Sequence, residues 1–261
     1  MLNRQVVLKR HPQGIPLPED FDLIESTIAQ PVEGQMLVRN LFFSLEAAIR
    51  GWLDGKANYF EPIPLGGAIR GPSVARVISS HLDGFAAGDL IFGLHHWEDY
   101  SLSDANTILL SKLSPEEDIP LSYYCGGLGG SGHTAYVGLH EIGNIQAGET
   151  VLISAAAGAT GSMATQIAKL RGCKVVGIVG GDNKADLITQ KLGADAAINY
   201  KTCGDLRAAI NEACPEGVDV YFDNVGGKTL DAALQCMNTF GRVIGCGTVS
   251  YTHLTLPTSS Q

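Results

Sequence analysis

The part of the chain over 1–123 alternates short apolar runs with glycine and proline turns. Val, Ile, Leu and Phe concentrate in these runs, and turns such as Gly71-Pro72 separate them. Short apolar runs bounded by turn residues predict β-strands. We therefore predict a small, strongly curved β domain with one short helix near Ser44–Gly51. The predicted strands are Gln5–Leu8, Leu23–Ile28, Gln35–Asn40, Val74–Ser79 and Leu90–Phe92.

The pattern changes over 124–250, where apolar strands alternate with amphipathic helices. In the first of these helices Met163, Ile167 and Leu170 recur at i, i+4 and i+7, which places them on one face. Such alternation predicts a Rossmann domain, a doubly wound parallel sheet with helices on both faces. The predicted strands are Val151–Ile153, Lys174–Val179, Ala196–Asn199, Val218–Phe222 and Arg242–Cys246, and the predicted helices are Ser162–Arg171, Lys184–Leu192, Leu206–Cys214 and Thr229–Met237.

Composition narrows the class of protein. A length of 261 residues suits two domains, and 45% hydrophobic residues exclude intrinsic disorder. The net charge of −9 argues against partners such as nucleic acid or an anionic membrane. We find no secretory signal and no apolar stretch of membrane-spanning length. Six scattered cysteines without a Cys-x-x-Cys pair predict reduced thiols in a cytoplasmic protein.

Two glycine patterns compete for a role in phosphate binding. Gly127 to Gly132 matches G-x-G-x-x-G letter for letter, but the segment Leu121–Cys125 before it is not an apolar strand. The pattern binds phosphate only as a turn from a strand into a helix. We interpret it as a flexible connection between the domains, with a phosphate site as the alternative.

The second pattern departs from the letters but has the required context. Val151 to Gly161 runs from a strand through a turn of small residues into a helix, and Ala156, Gly158 and Gly161 occupy the three glycine places. Gly158 leaves room for a diphosphate, and Gly161 lets the helix lie close to the strand. The alternative is a tight strand-to-helix turn that binds no ligand.

The end of the second strand bears on the choice of coenzyme. NAD-binding proteins carry an acid here for the ribose 2′-hydroxyl, whereas this chain has Gly180 and Gly181 at the strand tip. Lys184 is placed to neutralise a 2′-phosphate, which favours NADP(H). Asp182 lies close enough to keep NAD open as an alternative.

From about residue 3 to about residue 250 the chain resembles the zinc-independent medium-chain reductases. That family includes prostaglandin reductases, leukotriene hydroxydehydrogenases and NADP-dependent alkenal double-bond reductases. Each matching segment is weak alone, and the whole set in this order is specific. The segments are Asn3-Arg4-Gln5, Leu37–Asn40, Gly88-Asp89-Leu90, Trp97–Tyr100, Thr134–Leu139, Ala157–Gly161, Ala196–Tyr200 and Asp223–Gly227.

The resemblance implies a fold, a reaction and a set of coenzyme-binding residues. The fold is α/β, a GroES-like β-barrel catalytic domain followed by the Rossmann domain. The reaction is hydride transfer from NADPH to the β-carbon of a small α,β-unsaturated ketone or aldehyde, without a metal ion, in a protein that often forms homodimers. The implied contacts are Gly158, Ala159, Thr160 and Gly161 at the diphosphate, Lys184 and Tyr200 at the 2′-phosphate, and Asn224, Cys246, Gly247 and Thr248 on the nicotinamide side. The alternatives are a zinc-free quinone reductase and a catalytically inactive dinucleotide-binding fragment.

Two departures from the family pattern leave the catalytic residues unassigned. The family's Asp-Pro-Tyr-Met-Arg run is replaced by Glu46 to Arg50, with Ala48 at the tyrosine place. Ala48 either opens the substrate pocket or is an inward-packed helix residue. Near the end of the chain, Tyr251 lies one position off the family's tyrosine, and 251–261 resembles nothing in the family. We therefore expect an unassigned, non-native tail and a Rossmann domain that is incomplete at its C-terminal end.

Overall fold

The structure is a computed structural model that describes residues 2–56 and 60–247. It divides after Gly126 into two compact units, and the sequence-based boundary lies slightly earlier, after Tyr123. Each unit contains its own hydrophobic clusters of buried aliphatic side chains. No helix among the described residues is long and apolar enough to cross a membrane.

The first unit is built from antiparallel strands. Strands β1 and β2 form a two-stranded sheet, and the others form a five-stranded sheet in the order β6-β3-β4-β5-β7. The short α-helix α1 covers Ala47–Trp52. The strands are β1 (Leu2–Leu8), β2 (Phe21–Thr27), β3 (Gln35–Phe43), β4 (Arg70–Ser80), β5 (Leu90–His96), β6 (Tyr100–Asp104) and β7 (Ser111–Leu113).

The five strands predicted for this unit are confirmed, and the structure extends most of them by a few residues. Strands β6 and β7 are not among the predicted strands. Serine and aspartate in β6, and the shortness of β7, give weak strand signals. Pairing decides both cases, because β6 joins β3 over five residue pairs and β7 joins β5 over three.

The second unit is a parallel sheet with helices on both faces. Its strands run in the order β10-β9-β8-β11-β12, which is the doubly wound order 3-2-1-4-5. The strands are β8 (Thr150–Ser154), β9 (Lys174–Val179), β10 (Ala196–Asn199), β11 (Val218–Asp223) and β12 (Met237–Gly245), and the helices are α2 (Gly130–Val137), α3 (Ala159–Leu170), α4 (Asp182–Gln190), α5 (Leu206–Ala213) and α6 (Gly227–Leu234).

Two expectations for this unit are corrected. The glycine-rich segment is only in part a connection, because Gly130–Val137 forms helix α2. A Cβ on Gly132 would collide with the carbonyl oxygen of Gly127, so glycine lets the chain turn this tightly into α2. The helix packs against α3 although its glycines give it low intrinsic propensity. Helix α6 ends at Leu234 and β12 begins at Met237, so the predicted helix Thr229–Met237 extended too far toward the C-terminus.

A buried polar network in the first unit centres on His95, which is 3% exposed. Its Nδ1 lies 2.7 Å from the Ser73 hydroxyl, and its Nε2 lies 3.3 Å from the Ser103 hydroxyl. Ser103 in turn donates to Thr107 at 2.9 Å, so it can accept from Nε2–H. A neutral ring satisfies this network, and burial followed by repulsion from His96 lowers the pKa of His95 from 6.5 to about 4.

This pKa predicts a loss of stability in mild acid. The unfolded chain binds a proton at His95 below about pH 6.5 and the folded chain does so only near pH 4, so stability falls as the pH drops through this window. We expect His95 to remove about 2 kcal/mol from the free energy of unfolding between about pH 7 and about pH 4.5. Both tryptophans, Trp52 and Trp97, lie in the first unit, so their fluorescence during urea unfolding follows this unit. In His95→Gln the decrease should be smaller by that amount, and parallel pH curves for the two proteins would contradict the assignment.

Candidate functional site

The turn between β8 and α3 lies at the centre of the parallel sheet. Strand β8 has β9 on one side and β11 on the other, so the strand order reverses here and leaves a crevice at the carboxyl ends of the strands. Ala155 begins the turn with a φ of 47°, and the Gly158 amide donates to the Ala155 carbonyl at 2.8 Å. The turn therefore has a fixed shape.

The first turn of α3 offers backbone donors to an anion. Gly158 is the N-cap and supplies no side-chain cap, and the first helical bond runs from Ser162 N to Gly158 O at 2.8 Å. The amides of Ala159, Thr160 and Gly161 precede that bond, so they have no acceptor within the helix. Together with the helix dipole they favour a negative group such as a diphosphate.

Glycine is required at one of the three glycine places and replaceable at another. A Cβ on Gly161 would collide with the carbonyl oxygen of Ala155, so only glycine lets α3 start this close to β8. At the first glycine place the chain has Ala156, which is buried opposite Gly177. The missing side chain of Gly177 leaves space for the alanine methyl group. At Gly158 a Cβ would lie 3.1 Å from Ala155 O, and its φ of −77° suits any residue.

The ends of β9 and β10 bring the predicted 2′-phosphate residues near each other. Asn199 pairs in register with Val179, so Tyr200 follows β10 beside the glycines that follow β9. A Cβ on Gly180 would lie 3.0 Å from the Tyr200 ring, so glycine lets this ring cover the strand end. Lys184 is exposed in the first turn of α4.

A buried carboxylate organises the opposite side of the crevice. Asp223 ends β11 and is 1% exposed. Its Oδ1 accepts from the Tyr221 hydroxyl at 2.8 Å, from the Val225 and Gly226 amides at 3.1 and 2.8 Å, and from the Ser154 hydroxyl at 3.3 Å. Burial, with the Asp223 charge, raises the pKa of Tyr221, which keeps that hydroxyl protonated as a donor.

This network holds Asn224 and the turn after β12 together. The Asn224 side chain donates from Nδ2 to the Ser154 carbonyl at 2.8 Å, and its backbone amide donates to the Ser154 hydroxyl at 2.8 Å. The Asp223 carbonyl accepts from the amides of Cys246 and Gly247 at 2.9 and 3.0 Å. Burial and the nearby Asp223 raise the pKa of Cys246, which favours the neutral thiol. Thr248 lies outside the described residues.

A cavity of about 410 Å³ adjoins these strand ends, and the residues on its other wall are not among the predicted site residues. Helix α2 contributes Gly130, His133, Thr134 and Val137, which recur at i, i+3, i+4 and i+7 and so share one face. The strand-end wall consists of Phe222, Ile244, Gly245 and Cys246. The helical spacing of the α2 residues was the available signal, but the surrounding glycines concealed it.

In the first unit, Ala48 packs inward. It lies in α1 and is partly buried against the cluster that contains Ile49 and Trp52, as the second of its two interpretations expects. Arg50 donates to the Gly14 carbonyl at 2.9 Å and forms an ion pair with Asp54. Among the described residues, no three His, Cys, Asp or Glu side chains group together as metal ligands would. Tyr251 and the rest of 251–261 lie outside the described part of the chain.

Comparison with known proteins gives two family matches and a set of related enzymes. Residues 4–110 match the family model described as "N-terminal domain of oxidoreductase", and residues 159–261 match the one described as "Zinc-binding dehydrogenase". The chain is 43% identical to the 2-alkenal reductase (NADP(+)-dependent) of Nicotiana tabacum, over 97% of this chain and 74% of that protein. It is 40% identical to the NADPH-dependent curcumin reductase of Escherichia coli, over 95% and 71%, and to prostaglandin reductase 1 of Mus musculus, over 96% and 74%.

Solved structures have the same fold. CurA from Vibrio vulnificus in complex with NADPH superposes with a TM-score of 0.86 at 37% identity, covering 99% of this chain and 76% of that one. The quinone oxidoreductase of Escherichia coli complexed with NADPH superposes with a TM-score of 0.76 at 25% identity, covering 96% and 76%. The predicted fold class is confirmed.

The crowding at the turn before α3 predicts different effects for two glycine-to-alanine variants. We expect Gly158→Ala to change the free energy of unfolding by less than about 1 kcal/mol, because its backbone suits alanine. It should nevertheless weaken NADP⁺ binding about tenfold, because the methyl group intrudes on a diphosphate at the amides that follow. Gly161→Ala should weaken binding and also cost about 1 to 3 kcal/mol of stability.

Calorimetric titration with NADP⁺ and thermal unfolding separate the two effects. Wild-type affinity in Gly158→Ala would show that no diphosphate lies against this turn, and wild-type stability in Gly161→Ala would contradict the close approach of α3 to Ala155.

The chain spans about three quarters of the length of these relatives, at 40 to 43% identity to the three reductases and 37% identity to CurA. The match runs through both units, from the antiparallel strands to the parallel sheet. The chain therefore belongs to the medium-chain dehydrogenase/reductase family, among the NADP-dependent oxidoreductases that include 2-alkenal reductases, curcumin reductases and prostaglandin reductases.

Proposed function

We propose that this chain is an NADPH-dependent reductase that transfers hydride to the carbon–carbon double bond of α,β-unsaturated ketones or aldehydes. The observation that carries the proposal is the turn from β8 into α3. It presents the amides of Ala159, Thr160 and Gly161 at the switch point of the sheet, where dinucleotides bind in this fold. The named activities of the relatives supply the reaction class.

Each part of the coenzyme has a candidate partner in the second unit. The diphosphate is assigned to Gly158 through Gly161, and the 2′-phosphate to Lys184 and Tyr200. The residues after β9 favour the 2′-phosphate of NADP over the free 2′-hydroxyl of NAD, because Gly180 and Gly181 stand where NAD enzymes carry an acid. The nicotinamide side is assigned to Asn224 and to the residues from Cys246 through Thr248, of which Thr248 lies outside the described residues.

The protein's part in the reaction is to bind and orient. When bound, NADPH supplies the hydride, which reaches the β-carbon of the substrate. The Asp223 network fixes Asn224 and the Cys246 turn at one end of the crevice, which limits the positions open to a ring bound beside them. The mostly apolar wall of Phe222, Ile244 and Val137 reduces contact with water near the strand ends.

Negative charge develops on the carbonyl oxygen of the substrate during hydride transfer, so the reaction needs a hydrogen-bond donor there and a proton for the α-carbon. The described residues do not assign that donor. Ala48 carries no donor, and Tyr251 lies outside the described residues.

We also propose that the reaction uses no zinc, since both ring nitrogens of His95 already bond to serine hydroxyls. Buried thiols at Cys173, Cys214 and Cys236 support a reducing, cytoplasmic location.

A quinone reductase is the second candidate, and the structural likeness to the Escherichia coli quinone oxidoreductase favours it. Both activities use the same coenzyme and differ in the electron acceptor. Turnover with a benzoquinone but not with a linear 2-alkenone would select the second candidate.

The test is NADPH consumption by the purified protein with linear 2-alkenals, 2-alkenones and a benzoquinone. We expect oxidation of NADPH with the alkenals and alkenones. Mass spectrometry should find the saturated carbonyl compound, the product of C=C reduction, and not the unsaturated alcohol that C=O reduction would give. NADH should be used more slowly. Binding of NADPH without turnover of any acceptor would instead support an inactive dinucleotide-binding protein.

The 2′-phosphate assignment predicts the effect of removing one charge. A charge-assisted bond to a phosphate contributes about 1.5 to 3 kcal/mol, so Lys184→Ala should raise the KM for NADPH by about 10- to 100-fold. The KM for NADH should stay within about twofold, because NADH has no 2′-phosphate. Lys191→Ala at the end of α4 is the matched control and should change neither value. Equal effects of Lys184→Ala on both coenzymes would contradict the assignment.

A further inference from the structure

Asp182, the acidic residue that made NAD the alternative coenzyme, forms a hydrogen bond with a side chain at the end of β10. Asp182 is the first residue of α4, directly after the two glycines that end the β9 turn. Its Oδ1 accepts from Asn199 Nδ2 at 2.7 Å. An ionised carboxylate at this place in a dinucleotide-binding fold either accepts the ribose hydroxyls of NAD or repels the 2′-phosphate of NADP. Its direction therefore bears on the choice of coenzyme.

Asn199 is itself fixed at both ends of its amide. It is the last residue of β10, and its Oδ1 accepts from the Lys201 amide at 3.1 Å. Its carbonyl accepts from the amides of Thr202 and Cys203 at 3.1 and 3.0 Å, so the turn beyond β10 is ordered around it. The amide nitrogen is left to face Asp182. This arrangement holds the Asp182 carboxylate against the end of β10.

The groups around this pair belong to the assigned 2′-phosphate site. Tyr200 follows Asn199 and covers Gly180, and Lys184 lies in the same helical turn as Asp182. Lys201 adds a second cation on the β10 side. One carboxylate thus lies among the groups that would attract a phosphate, and the Asn199 bond determines where its charge points.

We propose that Asn199 is a selectivity residue that favours NADP over NAD by holding the Asp182 carboxylate away from the 2′ position of the adenosine ribose. This inference rests on the proposed function. Without the Asn199 bond, Asp182 turns toward the coenzyme, where it accepts from the free hydroxyl of NAD and opposes the phosphate of NADP. Asn199 is a positioning residue because it acts through Asp182.

The test is a double-mutant cycle in which calorimetry measures the affinities for NADP⁺, NAD⁺ and adenosine 2′,5′-bisphosphate without any substrate. We expect Asn199→Ala to weaken NADP⁺ and the bisphosphate about tenfold and to strengthen NAD⁺ about threefold. Asp182→Asn alone should change NADP⁺ affinity by less than about threefold, because the carboxylate is already held aside. The double variant Asn199→Ala with Asp182→Asn should recover the wild-type NADP⁺ affinity to within about twofold.

Controls distinguish this mechanism from a general disturbance of the site. Asp186→Asn removes a charge one turn further along α4, away from Asn199, and should leave the ratio of NADP⁺ to NAD⁺ affinity unchanged. Asn199→Ser is used if Asn199→Ala does not fold, since serine is also too short to hold Asp182 as asparagine does. An unchanged affinity ratio in the folded Asn199 variant would overturn the inference, as would a double variant that stays weak. If wild-type protein binds neither dinucleotide, the proposed function fails as well.

Discussion

The close approach of α3 to the turn after β8 is the constraint on which the candidate site depends. Only glycine at position 161 permits it, because any Cβ there would collide with the carbonyl of Ala155. The approach brings the first amides of α3 to the point where the strand order reverses. An anion bound there meets fixed dipoles that need no reorganisation, which makes the turn suited to a diphosphate.

Buried hydrogen bonds extend this fixed geometry to either side. On one side, the carboxylate of Asp223 gathers a tyrosine hydroxyl, a serine hydroxyl and two amides, and so sets the conformation of the residues after β11. On the other, Tyr200 lies over Gly180 and Asn199 bonds to Asp182. The parallel sheet places these three regions along one edge because its strands all end there, an arrangement that suits an extended ligand.

Much of the fold could be predicted from local pattern. The strands Lys174–Val179 and Ala196–Asn199 have the predicted bounds, because short apolar runs bounded by turn residues mark strands. The predicted elements were wrong or missing where contacts with neighbouring elements outweigh the intrinsic helix or strand propensity of a segment. Helix α2 contains two glycines in its first turn and packs against α3 with Ala135 fully buried, and β6 forms from serine-rich sequence by pairing with β3.

The sequence by itself determined the strand–turn–helix that presents the small residues from Ala156 to Gly161, since strand, turn and helix signals are all local. It also located Lys184, Tyr200 and Asn224 as residues that follow strand ends. Only the tertiary structure decided that Asn199 bonds to Asp182, that Asp223 collects four donors, and that α2 walls the cavity beside Cys246. These contacts join residues from different elements, and the distance between such residues is set by how the elements pack, which no local pattern records.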